Sequence, residues 1–120
     1  MKNKKELSRL KRHKRIRLKI YGTAERPRLV LKRSINNLYA QLVDDITSKV
    51  LFSISTNNKD AKQKMPVGGN VKSADSFGEF ASKKLKEKGI NKIVFDRCGY
   101  LYHGRIKAFA EALRKGGVEF

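Results

Sequence analysis

The sequence predicts an α/β (α+β) fold: a mixed sheet of order β-β-β-α-β-α with helices packed on it, preceded by a basic N-terminal arm. Three short stretches alternate between apolar and polar residues and are joined by short polar connections, which is typical of an antiparallel meander. Two later stretches carry apolar residues at helical spacing, with a short apolar run between them. Because a helix separates the third strand from the fourth, we expect a crossover connection that makes two strands parallel.

The arm is defined by its charge. Ten of the first twenty residues are Lys or Arg, and Glu6 is the only acid among them. Such a density of like charge opposes compact folding. We therefore expect residues 1–21 to form an RNA-binding arm outside a single globular domain of residues 22–120.

The apolar residues of the arm give a mixed signal. Leu7 and Leu10 are helically spaced, whereas three later residues alternate as in a strand. These later residues are Ile16, Leu18 and Ile20. The arm is therefore predicted to be partly helical and partly extended, to be partly helical or disordered when free, and to become ordered on its partner.

Three predicted strands follow a joint at Tyr21–Pro27, which glycine and proline punctuate. They are Arg28–Arg33, Leu38–Val43 and Val50–Ser55. In the third strand the alternation places Val50, Phe52 and Ile54 on one face. Their polar connections are short enough for hairpins, so we expect the three strands to pair in sequence order.

The rest of the domain is predicted to be helix, strand and helix. Thr56–Gly69 is the longest loop, and Asn70 is a suitable N-cap for a helix that Gly89 would end. Ile93–Phe95 is an uninterrupted apolar strand, which favours an interior position in the sheet. A second amphipathic helix covers about Arg105–Lys115.

Composition limits the classes of function. The formal net charge is +18, from 29 basic and 11 acidic residues, and this favours a polyanionic partner such as nucleic acid. A membrane surface is disfavoured because it requires a broad apolar face. Cys98 is the only cysteine, so no internal disulfide forms, and with His13 and His103 it is too scattered for a structural zinc site. We expect a cytoplasmic protein with no cofactor, and nothing in the sequence signals self-association.

The stretch Asp96–Arg105 has the highest density of candidate binding residues. It connects the last strand to the last helix, and ligands often bind at the carboxyl ends of strands in open sheets. The N-terminus of the following helix suits a phosphate. The side chains available for charge, stacking or hydrogen bonding to RNA are Arg97, Tyr100, Tyr102, His103 and Arg105. The alternative, that the two tyrosines only cover the edge of the core, stays open.

An enzymatic alternative rests on three carboxylates. In this hypothesis Asp44 or Asp45, after the second strand, approaches Asp96, and the carboxylates hold two metal ions for phosphodiester cleavage. We favour the simpler interpretation, in which the first two are turn residues and the third pairs with a neighbouring Arg. No dinucleotide-binding fingerprint or phosphate-binding loop is present, which further weakens an enzymatic interpretation.

With these residues identified, the chain resembles the L18 family of bacterial large-subunit ribosomal proteins over nearly its whole length. One matching stretch begins at Gly22–Leu29 and continues through Arg33-Ser34 and Tyr39–Gln41. The second runs through Phe95–Arg97 and Gly99–Arg105 and is long enough to be specific.

The resemblance implies a structural, non-enzymatic protein that binds 5S rRNA and helps attach it to 23S rRNA in the central protuberance. Its expected partners are the two RNAs and neighbouring large-subunit proteins. The implied rRNA-binding residues of the arm are Lys4, Lys5, Arg9, Lys11, Arg12, Lys14, Arg15, Arg17 and Lys19. Those around the first hairpin are Arg26, Arg28, Arg33, Asn36, Asn37 and Tyr39.

One residue departs from the family pattern. Cys98 stands where these proteins usually have a second glycine. If the turn requires a positive φ there, a cysteine costs roughly 1 kcal/mol or more.

Besides the ribosomal protein and the nuclease, a third possible function is that of a general basic nucleic-acid binder, which would bind duplex DNA and 5S rRNA equally well.

Overall fold

The computed structural model describes residues 3–57 and 70–120, and that part of the chain contains four strands and three helices. They are α1 (Lys4–Arg17), β1 (Arg28–Arg33), β2 (Leu38–Asp44), β3 (Lys49–Ser55), α2 (Val71–Glu87), β4 (Val94–Asp96) and α3 (Arg105–Lys115). Most of the loop predicted for Thr56–Gly69 lies outside the described residues. The mixed-sheet fold predicted from the sequence is confirmed.

The sheet has the strand order β3-β2-β1-β4. The first three strands pair antiparallel, with Leu29 opposite Leu42 and Ala40 opposite Ile54. β4 pairs parallel with β1, placing Asp96 opposite Val30. The predicted crossover through a helix is therefore confirmed.

The core lies between one face of the sheet and the helices α2 and α3. Leu29 and Leu31 contribute from β1, and Phe77 of α2 packs on Phe109 of α3 with ring centroids 5.3 Å apart. Gly78 lets the two helices approach, because a Cβ there would collide with Ala112. Since strand residues alternate in direction, Arg28 and Asp96 point away from this core, toward the opposite face.

The edge position of β4 contradicts the interior position predicted for Ile93–Phe95. The run is apolar for a different reason. Ile93 is fully buried in the core, and Phe95 packs against both Phe109 and Phe120, with centroid separations of 6.4 and 5.4 Å. Side chains from the helical layer and the C-terminal segment therefore provide the burial that a further strand would have given.

Two other expectations are corrected. A bulge in the pairing of β2 with β3 places Val50 opposite Val43, so Val50 does not share the face of Phe52 and Ile54 as predicted, and it is 55% exposed. In the arm, the extended segment predicted at Ile16–Ile20 is not formed, because α1 continues to Arg17 and Leu18 still has helical backbone angles. The predicted disorder of the free arm stays a prediction.

The helix ends follow the local sequence. Asn70 caps α2, accepting a hydrogen bond of 2.7 Å from the backbone N–H of Ser73, as predicted. Gly89 follows the helix with φ +75°, which confirms its expected role as a stop. Among the described helices, none combines the length and the apolar character needed to cross a bilayer.

Candidate nucleic-acid interface

Helix α1 lies against the body through one face. Its half-buried positions recur at helical spacing, whereas no residue of the helix is fully buried. They include Arg9, Arg12, His13, Ile16 and Arg17. Asn3 caps the helix by accepting a hydrogen bond from Glu6 N–H at 2.8 Å, and basic residues fill its last turn, where they suit the helix dipole.

The turn after β4 receives the inner face of α1. Arg9 Nη1 donates to the Cys98 carbonyl at 2.8 Å, and Arg12 Nε donates to the Gly99 carbonyl at 2.8 Å. Gly99 has φ +82°, and a Cβ at this position would collide with the backbone carbonyl of Arg9. The glycine therefore allows both the turn and the close approach of α1.

Cys98 also has a positive φ, of 58°, so the position does require the conformation that a glycine adopts more easily. Its N–H donates to Asp96 Oδ1 at 2.8 Å, which holds the turn. The thiol lies 3.7 Å from both Arg9 Nη1 and His13 Nδ1 and is 2% exposed. Burial, with the charge of Asp96, raises the pKa of this thiol.

A network of ion pairs lies beneath α1. Arg28 donates from Nη1 to Asp96 Oδ2 at 2.6 Å and from Nε and Nη2 to the two oxygens of Asp45 at 3.0 and 3.2 Å. His13 lies 3.3 Å from the same Asp96 oxygen, and Arg17 lies 3.6 Å from Asp45. The guanidinium of Arg28, predicted to contact RNA, is thus engaged by two carboxylates.

Two opposing effects set the pKa values of Arg28 and Asp45 in this network. Desolvation alone would lower the pKa of Arg28 and raise that of Asp45. For Arg28 the hydrogen bonds and charges of Asp45 and Asp96 outweigh desolvation, so its pKa is raised. For Asp45 those of Arg28, with the Gly22 N–H and the charge of Arg17, outweigh it, so its pKa is lowered. Both groups therefore stay charged at neutral pH, as a structural pair.

The carboxylates proposed for a nuclease site are accounted for by these contacts. Asp96 pairs with Arg28, as the simpler interpretation predicted, and Asp44 accepts from Ile46 N–H at 3.0 Å as a turn residue. In residues 3–57 and 70–120, no group of three or more His, Cys, Asp or Glu is placed to hold a metal ion.

A basic groove of about 590 Å³ runs between the first half of α1 and the loop after β4. Its floor includes Tyr100, whose ring lies between the guanidinium groups of Arg9 and Arg33, at 4.8 and 4.7 Å from the centroid. Each such cation–π contact is worth about 0.5–2 kcal/mol. The other lining residues are Asn3, Lys4, Lys5, Glu6, Ser8, Arg12 and Leu101. Positive groups thus dominate the groove.

Arg105 lies beyond Tyr100, at the N-terminus of α3. Its Nη2 donates to the Ser34 carbonyl at 2.8 Å, whereas its Nη1 is buried and has no hydrogen-bond partner within the described residues. Burial and the charge of Arg33 lower the pKa of Arg105. Gly104, the N-cap of α3, has no side chain to cap the first backbone N–H groups of the helix.

A second groove, of about 410 Å³, opens on the other side of the same loop. Arg97, Tyr102 and Phe95 line it, together with Arg26 and Ile16. Arg97 Nη1 donates to the Tyr100 carbonyl, and Arg26 Nε donates to the Ile93 carbonyl at 3.1 Å. Tyr102 is 43% exposed, and His103 beside it is exposed.

The predicted residues of the first hairpin divide into two kinds. Asn37 is partly structural, because its Oδ1 accepts from the Thr56 hydroxyl at 2.8 Å. Asn36 is exposed at the tip, and Tyr39 is exposed on the open face of the sheet. Lys32, which is not among the residues predicted to bind RNA, is paired with Tyr39 in register and is also exposed. Its alternation with Leu29 and Leu31 was the available signal.

The structure thus brings the predicted residues of α1, the β1 end and the loop after β4 to one side of the molecule. The outward positions of the arm are all exposed. They are Lys4, Lys5, Lys11, Lys14, Arg15 and Lys19. Asn36 lies at the hairpin tip and Arg28 lies under α1, so neither lines the two grooves.

Comparisons with known proteins indicate the family to which the chain belongs. The family model of ribosomal L18 of archaea, bacteria, mitochondria and chloroplasts matches residues 3–120. A large ribosomal subunit protein uL18 of Pelotomaculum thermopropionicum is 54% identical over 110 residues, covering 92% of this chain and 90% of that protein. The uL18 proteins of Desulforamulus reducens and Heliobacterium modesticaldum are 52% and 48% identical, covering 93% and 97% of this chain and 92% and 95% of their own lengths.

The resemblance drawn from the sequence motifs is therefore confirmed. The match leaves out only the first two residues of the chain, and the relatives are covered almost completely. This chain belongs to the ribosomal L18 family.

Proposed function

We propose that this protein binds 5S rRNA and helps to attach it to 23S rRNA in the central protuberance of the large ribosomal subunit. Membership of the L18 family supports the coarser part, a structural role in the cytoplasmic large subunit, and the relatives are ribosomal proteins, not enzymes. The choice of 5S rRNA rests on the family resemblance of the two sequence motifs.

The observation that carries the proposal is the basic surface formed by α1 and the groove beside it. Five cations line this groove with a single acid, Glu6, whose carboxylate is held by Arg9 Nη2 at 2.6 Å. Tyr100 gives the groove an aromatic floor. Such a surface can bind several backbone phosphates at once, and unpaired bases of RNA stack on exposed aromatic rings.

Affinity and specificity have different sources in this proposal. The arm supplies charge, which any RNA of the same length would meet, so its contribution depends on salt. The body supplies shape and exposed side chains, such as Tyr102 and His103, which can distinguish a folded RNA from a random one. In this proposal the body distinguishes 5S rRNA from other RNAs, and the arm provides most of the affinity.

A competition gel shift tests the function. Labelled 5S rRNA is challenged with unlabelled 5S rRNA, a random RNA of equal length, and duplex DNA. We expect 5S rRNA to compete at least tenfold better than the other two. Equal competition by all three would replace the proposal with a general basic nucleic-acid binder.

Tyr102→Ala tests the contribution of one side chain to specificity. Because Tyr102 is exposed, removing its ring leaves the core intact. The variant should weaken binding to 5S rRNA more than binding to random RNA, by roughly 1–3 kcal/mol if a base stacks on the ring. Equal losses on both RNAs would place stacking elsewhere.

A further inference from the structure

We propose that the two faces of α1 have separate roles: the inner face fastens the helix to the body, and the outer face contacts RNA phosphates. The inner stripe is Arg9, His13 and Arg17, and the outer stripe is Lys4, Lys11 and Arg15. The proposal rests on the proposed RNA-binding function and names which cations of the arm meet the RNA.

The inner stripe is spaced by four residues, so its side chains leave the same face of the helix one turn apart. Each of them ends on an acceptor provided by the protein. Arg9 binds the Cys98 carbonyl, His13 faces Asp96 at 3.3 Å, and Arg17 donates to the Ile20 carbonyl at 3.0 Å and faces Asp45.

The guanidinium groups of the inner stripe are already engaged. Arg9 uses Nε and Nη2 on the two carboxylate oxygens of Glu6, uses Nη1 on the turn after β4, and lies over the ring of Tyr100. A phosphate that approaches Arg9 competes with these partners, and one that approaches Arg17 competes with the Ile20 carbonyl and Asp45. Because such an exchange replaces one charge-assisted hydrogen bond with another, it yields little net affinity.

The outer stripe has the opposite character. At 100° per residue, its three residues lie within about 20° of one line along the helix, and they span roughly 16 Å of the axis. All three are exposed, and no carboxylate of residues 3–57 or 70–120 lies within ion-pair distance of them. Binding phosphates therefore displaces only water and counterions.

The face of α1 thus decides what a cation does. Arg and Lys at the outer stripe need only charge, so they are interchangeable there. The inner stripe depends on the planar guanidinium, because Arg9 serves several acceptors at once, and Lys cannot reproduce that geometry. Removing or exchanging the same number of charges on the two faces should separate the roles.

The first experiment compares two double variants of the full chain, Lys11→Gln with Arg15→Gln, and Arg9→Gln with Arg17→Gln. Each removes two formal charges from α1. Binding to 5S rRNA is measured across a series of salt concentrations. The outer pair should reduce the slope of log K against log salt by about 1.4–1.8, and the inner pair by less than about 0.5.

A second experiment keeps the charge and changes its geometry. Without RNA, the alkylation rate of Cys98 reports how often α1 leaves the turn, since Arg9 and His13 cover the thiol. Arg9→Lys with Arg17→Lys should raise this rate at least threefold. The matched exchange of Lys11→Arg with Arg15→Lys should leave it unchanged.

Two results would overturn the proposal: equal loss of salt slope from the inner and outer pairs, or an alkylation rate that Arg9→Lys with Arg17→Lys does not change. Both readouts are independent of the choice of RNA. If 5S rRNA shows no preference over random RNA, the proposed function fails, but the slopes measured on random RNA still test the two faces.

Discussion

Helices α1 and α3 are both fastened to this small sheet, by different physics. α3 buries five residues, among them Phe109 and Leu113, and belongs to the apolar core. α1 buries none and is held by hydrogen bonds and ion pairs to the turn after β4 and to Asp45. The difference indicates that the core can persist when α1 leaves, and that salt and pH act on α1 first.

The largest effect should come from breaking the apolar side of this comparison. Phe109→Ala opens a cavity beside Phe77 and Phe95 and should lower the free energy of unfolding by about 3–5 kcal/mol. Urea unfolding followed by far-UV circular dichroism measures it. Deletion of residues 1–19 is the counterpart and should cost less. An equal or larger cost would mean that α1 is part of the folding core.

A smaller effect should come from disturbing the seat of α1, the contact between Gly99 and the backbone of Arg9. Gly99→Ala introduces a positive-φ strain of roughly 1–2 kcal/mol and a collision with the Arg9 carbonyl, so α1 should lose its protection from amide hydrogen exchange. Gly104→Ala is the control, since Gly104 also has a positive φ, of 59°, but a Cβ there meets nothing within 4 Å. It should show the strain without the loss of protection. Loss of protection in both variants would contradict the proposed seat.

The smallest effect should concern pH. Because the folded state lowers the pKa of Asp45 below its ordinary value of 3.8, the ion pair stabilises the protein above that pH and is lost as the pH falls through the folded-state pKa. Asp45→Asn should cost roughly 1 kcal/mol at neutral pH and less in acid. Urea unfolding at pH 6 and below pH 3 measures this, with Asp75→Asn as an exposed control. A cost that stays constant with pH would exclude the ion pair as its source.

The elements that the sequence predicted well have strong local signals. The bounds of β1 follow from the alternation of Leu29 and Leu31, and the start of α2 follows from Asn70. β4 was misplaced because its burial comes from Phe109 and Phe120, and neither is near it in sequence. Local patterns thus predicted where strands and helices occur along the chain better than they predicted which elements pack next to one another.

The candidate site was predictable as a set of residues, but not as an arrangement. The density of cations pointed to the arm, yet the contacts of Arg9, Arg12 and His13 join residues more than eighty positions apart. No spacing rule distinguishes an arginine that donates to a distant carbonyl from one that faces solvent. The engagement of Arg28 by two carboxylates was hidden for the same reason.

The bulge between β2 and β3 has a consequence for how the chain behaves before it meets RNA. β3 is an outer strand, and among residues 3–57 and 70–120 no strand pairs with its outer row of backbone groups. Such rows invite a second copy to add a strand. The register shift next to Val43 and Val50 makes the pairing of β3 irregular, and Lys49 places a charge at the first residue of β3. Together they disfavour edge-to-edge aggregation of newly made protein while it awaits assembly.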